Sequence, residues 1–269
     1  MPPALSQGAV RRLLVAGLGN ATHPLTRHSV GQLLLKNLAL RACADPSHLS
    51  GTPRFETARV AAAGRQQHAY LVTQITLRAP ATEEEVDSRP LEISFVIPKA
   101  AMNINGPTVA AAFEKLVPPA DRLDKPRRSQ SPPSPTPPLE EPPDAGSGRR
   151  RGSKKGPAKA KIDLLRLVTL QDDLDLSPST LKYQPGGGPR GHNGVRSVSQ
   201  SLNSPKYHRL WIGIGRPDQR GEVARYVLSP MGREEVQKCE FDEERGKGGE
   251  VLERAWKEIL RIGFEDGEP

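Results

Sequence analysis

Apolar positions along the chain come in short runs separated by polar loops, and the period of the runs alternates between strand and helix. Leu13-Leu14-Val15-Ala16 is a continuous apolar run, part of a strand-like stretch from Arg12 to Ala16. It closes on Gly17-Leu18-Gly19-Asn20, the pattern of a buried strand delivering the chain into a loop. Beyond the loop, Leu34, Leu38 and Cys43 are among the apolar positions of a helix for which Ser29 is the expected cap. Ala58–Ala62 and Ala69–Leu77 read as two strands about a turn at Gly64, and Ile93–Ile97 as another. That strand leads through Asn103 into a helix ending near Leu116, with Pro107 in its first turn and Asn105 or Gly106 as its cap. Leu164–Leu170 and Lys182-Tyr183-Gln184 predict two further strands. Asn193 then stands as the cap of a helix carrying Val195, Val198 and Leu202, and Leu210–Gly215 is one more strand. Arg225–Leu228 and Pro230–Gln237 give no clear pattern. Val251, Leu252, Ala255, Trp256, Ile259 and Leu260 share one face of a final helix. Strands alternating with helices predict an α/β domain.

Residues 118–160 break this pattern. They hold 11 of the 27 prolines and almost nothing that builds a core, so they read as a disordered insertion. The expected organisation is therefore one domain formed by residues 12–117 and 161–264, divided in sequence but not in space. The acidic stretch Glu83-Glu84-Glu85 with Asp87 reads only as a solvated connection.

Charge changes the picture modestly. The formal net charge is +8, and residues 118–160, with 10 basic and 5 acidic side chains, supply +5 of it. Arg149-Arg150-Arg151 with Lys154-Lys155 is either a loose phosphate-binding arm or part of a solvated spacer. Cys43 and Cys239 lie far apart and outside any CxxC pairing, which argues against a disulfide framework and a zinc ribbon and points to a reducing compartment. The chain lacks a continuous apolar run of the roughly 18 residues a membrane span needs, so a membrane role is not expected. A secretory signal is not expected either; an organelle import signal stays open.

The loops carry the candidate chemistry. Gly186–Gly194 packs five glycines into nine residues together with Arg190, His192 and Asn193, which suits either a tight turn or a backbone that approaches a ligand closely. His28 falls at a strand–loop–helix junction, the kind of place where open α/β sheets gather ligands. Asp172, Asp173 and Asp175 end a strand, where carboxylates bind a metal or orient a histidine. Asn20 and Asn103 occupy loops after strands, where turn chemistry is the ordinary explanation. Other chemistries lack their motifs. Gly17-Leu18-Gly19 misses the third glycine of a dinucleotide fingerprint, since position 22 is Thr, and GxSxG, HExxH and GxxxxGK[ST] are all absent.

Taken in order, Gly17-Leu18-Gly19-Asn20, Thr26–Gly31, Met102–Gly106, Asp172–Leu176, Gly186–Gly194 and Gly213–Pro217 resemble the bacterial-type peptidyl-tRNA hydrolase family, over most of residues 12–230. The resemblance implies a single α/β domain around a twisted mixed sheet flanked by helices, without a metal or other cofactor. It implies hydrolysis of the ester joining a peptide to the 3′-terminal ribose of tRNA. His28 would be the general base, oriented by Asp172. Asn20, Asn103 and Asn193 would place the peptide and ribose, with His192 in support. An anionic tRNA stem needs basic neighbours, for which Lys182, Arg190, Arg196 and Arg209 are the candidates.

The sequence also departs from the family pattern. The loop from Asn20 to His28 is shorter than usual and lacks the Pro-Gly that normally follows the Asn. Ser29 replaces a frequent Asn, and basic positions that clamp tRNA phosphate in bacterial members are here Gln184 and Trp211. The expectation is a monomer acting on peptidyl-tRNA in the cytoplasm or mitochondrion. The alternative is a non-catalytic RNA-binding protein on the same fold, of the kind that serves organelle intron splicing.

Overall fold

The computed structural model describes residues 10–61, 67–80, 89–123 and 164–264. In chain order the elements are β1 (Arg11–Gly17), α1 (Val30–Cys43), β2 (His48–Gly51), β3 (Glu56–Ala61), β4 (Gln67–Leu77), β5 (Leu91–Pro98) and α2 (Asn105–Leu116). They continue as β6 (Leu165–Asp173), β7 (Leu181–Pro185), α3 (Asn193–Ser201), β8 (Tyr207–Gly213), α4 (Val223–Val227), α5 (Arg233–Gln237), β9 (Phe241–Asp242), β10 (Lys247–Gly248) and α6 (Glu250–Phe264).

Eight strands form one mixed sheet in the order β2-β4-β5-β1-β6-β8-β7, with β3 also paired to β4. Strands β5, β1, β6 and β8 are parallel to their neighbours in that series, and β4 and β7 run antiparallel on either side. The parallel strands therefore end together, and the loops leaving them gather at one edge. β1 belongs to the first part of the chain and β6 to the second, and their direct pairing makes one sheet of both.

Helices cover both faces. On one, α1 and α6 bring Leu34, Leu38, Val251, Trp256 and Ile259 onto Leu13, Val15, Val168, Leu170, Leu210 and Ile212. On the other, α2 and α3 bring Val109, Phe113, Val195 and Val198 onto Leu14, Ala16, Val96, Leu167, Tyr207 and Trp211. Central strands covered on both faces have to be apolar throughout, which is why β1 reads as an unbroken run.

Residues 118–123, expected to open the insertion, belong to the domain instead. Pro119–Asp121 form a 3-10 turn, Asp121 pairs with Arg12 at 3.0 Å, and Leu123 bridges to Leu165. Leu123 and Leu165, the described residues nearest either side of residues 124–160 to pair, thus lie side by side. The remainder of the expected insertion, residues 124–160, lies outside the described residues, as do the turn at Gly64 and the acidic stretch at 83–87. Strand β2, helices α4 and α5 and the β9–β10 hairpin are elements the sequence pattern does not announce. β2 is largely exposed, and the others are two to five residues long, too short for a period.

Candidate active site

The cleft at the carboxyl ends of the parallel strands has a volume of about 770 Å³ and is lined by Asn20, His28, Asn103, Asp172, Arg190, His192 and Asn193, among others. The loop after β1 brings in Asn20, the loop after β5 brings Asn103, and Asp172 is the penultimate residue of β6. His28 sits in a 3-10 turn, Arg27–Ser29, directly before α1. Close packing gives that turn its position. A Cβ on Gly31 would lie 2.2 Å from the Leu170 carbonyl oxygen, so only glycine lets the start of α1 rest on the backbone of β6. His28 is thereby carried to Asp172, two residues along the strand.

The centre itself is three side chains. His28 Nδ1 is 2.8 Å from Asp172 Oδ1, and His192 Nε2 is 2.9 Å from the same oxygen. The two imidazoles lie 5.1 Å apart, centroid to centroid. The hydrogen bonds assign the tautomers. His192 Nδ1 accepts the Val195 amide at 3.2 Å, so its Nε2 carries the proton given to Asp172. The ionised carboxylate accepts only, so His28 donates from Nδ1, and in the neutral ring its Nε2 is an acceptor. Burial alone would raise the Asp172 carboxyl. Its interactions with His192, then with His28, outweigh burial and hold it well below the usual carboxylate range. The three residues offer ligand atoms within 4.8 Å of one another, close enough to hold a metal ion, yet the shared hydrogen bonds account for their closeness without one.

The cap of α3 is a correction. Asn193 is the residue type preferred at a helix start, but the N-cap is His192, whose ring accepts from Val195. Asn193 is instead the first helical residue, exposed on the cleft, with its Oδ1 accepting from Arg196 at 2.8 Å. Asn20 behaves alike, its Oδ1 accepting the Met102 amide at 2.8 Å. Both amides therefore have an occupied acceptor and retain N–H donors. Asn103 lines the cleft and is exposed.

The other caps differ too. Ser29 stands at the N-cap of α1, but its hydroxyl accepts the Asn20 amide at 3.0 Å rather than capping the helix. Asn105 does not cap α2. It is fully buried and stitches two loops together, accepting from the Gly19 amide at 3.0 Å and donating to the Gly19 and Ala101 carbonyls. It thereby fixes Asn20 relative to Asn103.

The four basic candidates separate. Arg190 lines the cleft, whereas Lys182 and Arg196 are exposed outside it. Arg209 does not face an RNA at all: it is fully buried, and its Nη1 donates to the Gly187 and Gly188 carbonyls at 2.7 and 2.9 Å. The reason is strand period. Tyr207, Arg209 and Trp211 alternate along one face of β8, directly under the glycine-rich loop. Tyr207 Oη bonds the Val195 carbonyl, Arg209 holds the loop's glycine carbonyls, and Trp211 meets the edge of His192 at 6.1 Å. The alternation was the available signal, because His208, Leu210 and Ile212 between them read as the opposite face.

Two further features had little signal in sequence. Helix α4 forms an apolar wall of the cleft through Val223, Ala224, Val227 and the adjoining Leu228. Arg27, beside His28, ties that wall to the histidine's turn. It donates to Ser229 Oγ at 2.7 Å, pairs with Glu235 at 3.0 Å and lies 4.7 Å from the Tyr226 ring centroid. Among the described residues no helix is long and apolar enough to cross a membrane.

Part of the chain is similar to known proteins. Residues 152–258 match the family model described as peptidyl-tRNA hydrolase, a stretch that holds Asp172, His192 and Asn193. A peptidyl-tRNA hydrolase of Rhodococcus opacus (strain B4) is 39% identical over 104 residues, which make up 39% of this chain and 52% of that protein. One from Aliarcobacter butzleri (strain RM4018) is 44% identical over 80 residues, 30% of this chain and 43% of that protein. The chain thus spans about half the length, or less, of these curated relatives. A crystal structure of peptidyl-tRNA hydrolase from Acinetobacter baumannii aligns over 96% of each chain at 16% identity with a TM-score of 0.47. Over residues 152–258 the chain is thus similar to the peptidyl-tRNA hydrolase family.

Proposed function

We propose that the cleft hydrolyses the ester between a peptide, or an N-blocked aminoacyl group, and the 3′-terminal ribose of tRNA. The observation that carries this reading is the His28–Asp172 hydrogen bond of 2.8 Å, set in a cleft with three asparagines. His28 Nε2 takes a proton from a water, and the hydroxide adds to the ester carbonyl carbon. The N–H donors of Asn20 and Asn193 face the oxygen that gains charge and the peptide's own carbonyls. As the carbon–oxygen bond breaks, the ribose oxygen recovers the proton from the imidazolium, which Asp172 stabilises. An ester is already activated, so one base and one oriented water suffice. Amides that read backbone without adding charge suit a substrate whose peptide varies. Lys182 and Arg196, exposed beyond the cleft, would meet tRNA phosphate. Its place is then cytosolic or mitochondrial translation, where such tRNA arises.

The test is release of free tRNA from N-acetylaminoacyl-tRNA by the purified protein, with His28→Ala as control. Wild-type turnover that is nearly abolished in His28→Ala is the expected result. Full activity in the variant would remove His28 from the role. Tight RNA binding without any ester cleavage would favour the non-catalytic alternative.

A further inference from the structure

Arg190 sits on the cleft wall two residues before His192. Its φ is 50°, in the left-handed region that costs a side-chain-bearing residue and suits glycine. What compensates is the side chain. Nη1 lies 3.3 Å from Asp173 Oδ2, Nη2 lies 3.6 Å from Asp175 Oδ2, and the guanidinium carbon is 5.6 Å from the Trp211 ring centroid. Arg216 shares Asp175 at 2.5 Å, so two arginines and two carboxylates balance within the cluster. The charge of Arg190 is thus largely answered before any RNA arrives, which makes it a poor phosphate clamp. What it still offers is a plane: a guanidinium on the cleft wall at 29% exposure, backed by an indole that is 1% exposed. Guanidinium planes stack on the rings of unpaired bases.

The substrate geometry leads to the same residue. This step rests on the ester reading above. If the scissile carbonyl lies at His28, the ribose carrying it lies alongside, in the cleft that Arg190, His192 and Asn193 also line, with the His192 ring 5.1 Å from that of His28. We propose that Arg190 is the platform on which the 3′-terminal base of the RNA stacks, and so a specificity-determining residue rather than a phosphate contact.

Equilibrium binding tests this without relying on catalysis. The probe is a short RNA bearing an amide-linked N-acetylaminoacyl group on its 3′-terminal adenosine, compared with the same RNA lacking that terminal base. Arg190→Lys keeps the charge that faces Asp173 and Asp175 but loses the plane. It is expected to weaken binding of the base-bearing RNA about tenfold, to leave the abasic RNA unchanged and to leave the salt dependence of binding unaltered. Equal weakening of both RNAs, no weakening, or a salt slope reduced by about one overturns the proposal, the last by making Arg190 a phosphate contact. Base-selective binding by a wild-type protein that fails to cleave the corresponding ester would sink the hydrolytic reading while keeping the platform.

Discussion

The turn that carries His28 and the loop that carries His192 reach Asp172 from helices on opposite faces of the sheet. Both histidines bond the same carboxylate oxygen at nearly the same distance, 2.8 and 2.9 Å. They differ in the second ring nitrogen. That of His192 is occupied by the Val195 amide, and its side chain is 6% exposed; that of His28 is left for the cleft, with the side chain 17% exposed. Residue type and partner are therefore not enough to identify a base. The nitrogen still available is what differs, and on the function proposed above it separates a chemical role from a supporting one.

The largest effect should come from testing this difference directly. His28→Ala is expected to lower kcat about 10³-fold, within the range for loss of a general base. His192→Asn should lower it about tenfold or less, because asparagine still caps α3 although it no longer reaches Asp172 in the same way. His192→Ala loses the cap as well and should cost a further ~1 kcal/mol in unfolding free energy. Kinetics on N-acetylaminoacyl-tRNA and urea melts read the two effects separately. If His192→Asn is as damaging as His28→Ala, the two rings share the proton transfer and the distinction fails.

The sequence made one side of this comparison easier to see than the other. Continuous apolar runs give the parallel strands because those strands are covered on both faces, and His28, Asp172 and the asparagines stand at strand ends where α/β sheets place their sites. The cap of α3 was not legible: the preference for asparagine points to Asn193, while the bond that settles it depends on the direction of the His192 ring. Arg209 misled for a related reason, since a basic residue near a glycine-rich loop resembles a phosphate contact until strand period puts it underneath. Helix α4 stayed hidden because five residues hold too little of a helical period, and Arg27 carries no mark beyond its place beside His28.

A second, smaller break would move the His28 turn as a whole. Gly31→Ala places a methyl group 2.2 Å from the Leu170 carbonyl oxygen, so α1 has to lift from β6. Overpacking of this kind costs about 1–3 kcal/mol. The loss of activity should exceed what that destabilisation explains, because His28 recedes from Asp172 while His192 remains. Unfolding free energy and kcat measured on the same preparation give the answer. A variant that is destabilised yet fully active would show that the His28–Asp172 approach does not depend on this contact.

The smallest expected effect concerns the carboxylate between the two rings. Because the folded state holds the Asp172 carboxyl below its ordinary range, it binds that proton less readily than the unfolded chain does. Stability from this group is then fully present above the ordinary aspartate pKa of about 3.9 and is lost as pH falls through the lower folded value. Asp172→Asn removes the titration. It should be less stable than wild type at pH 6, and the gap should narrow by a few degrees of Tm as pH falls toward 3. Other carboxylates titrate in the same window, but they do so in both proteins and drop out of the difference. Parallel Tm curves would mean that the rings do not hold the carboxyl down. The shared oxygen would then be a matter of placement alone, and the case for Asp172 steadying a charged His28 would lose its electrostatic half.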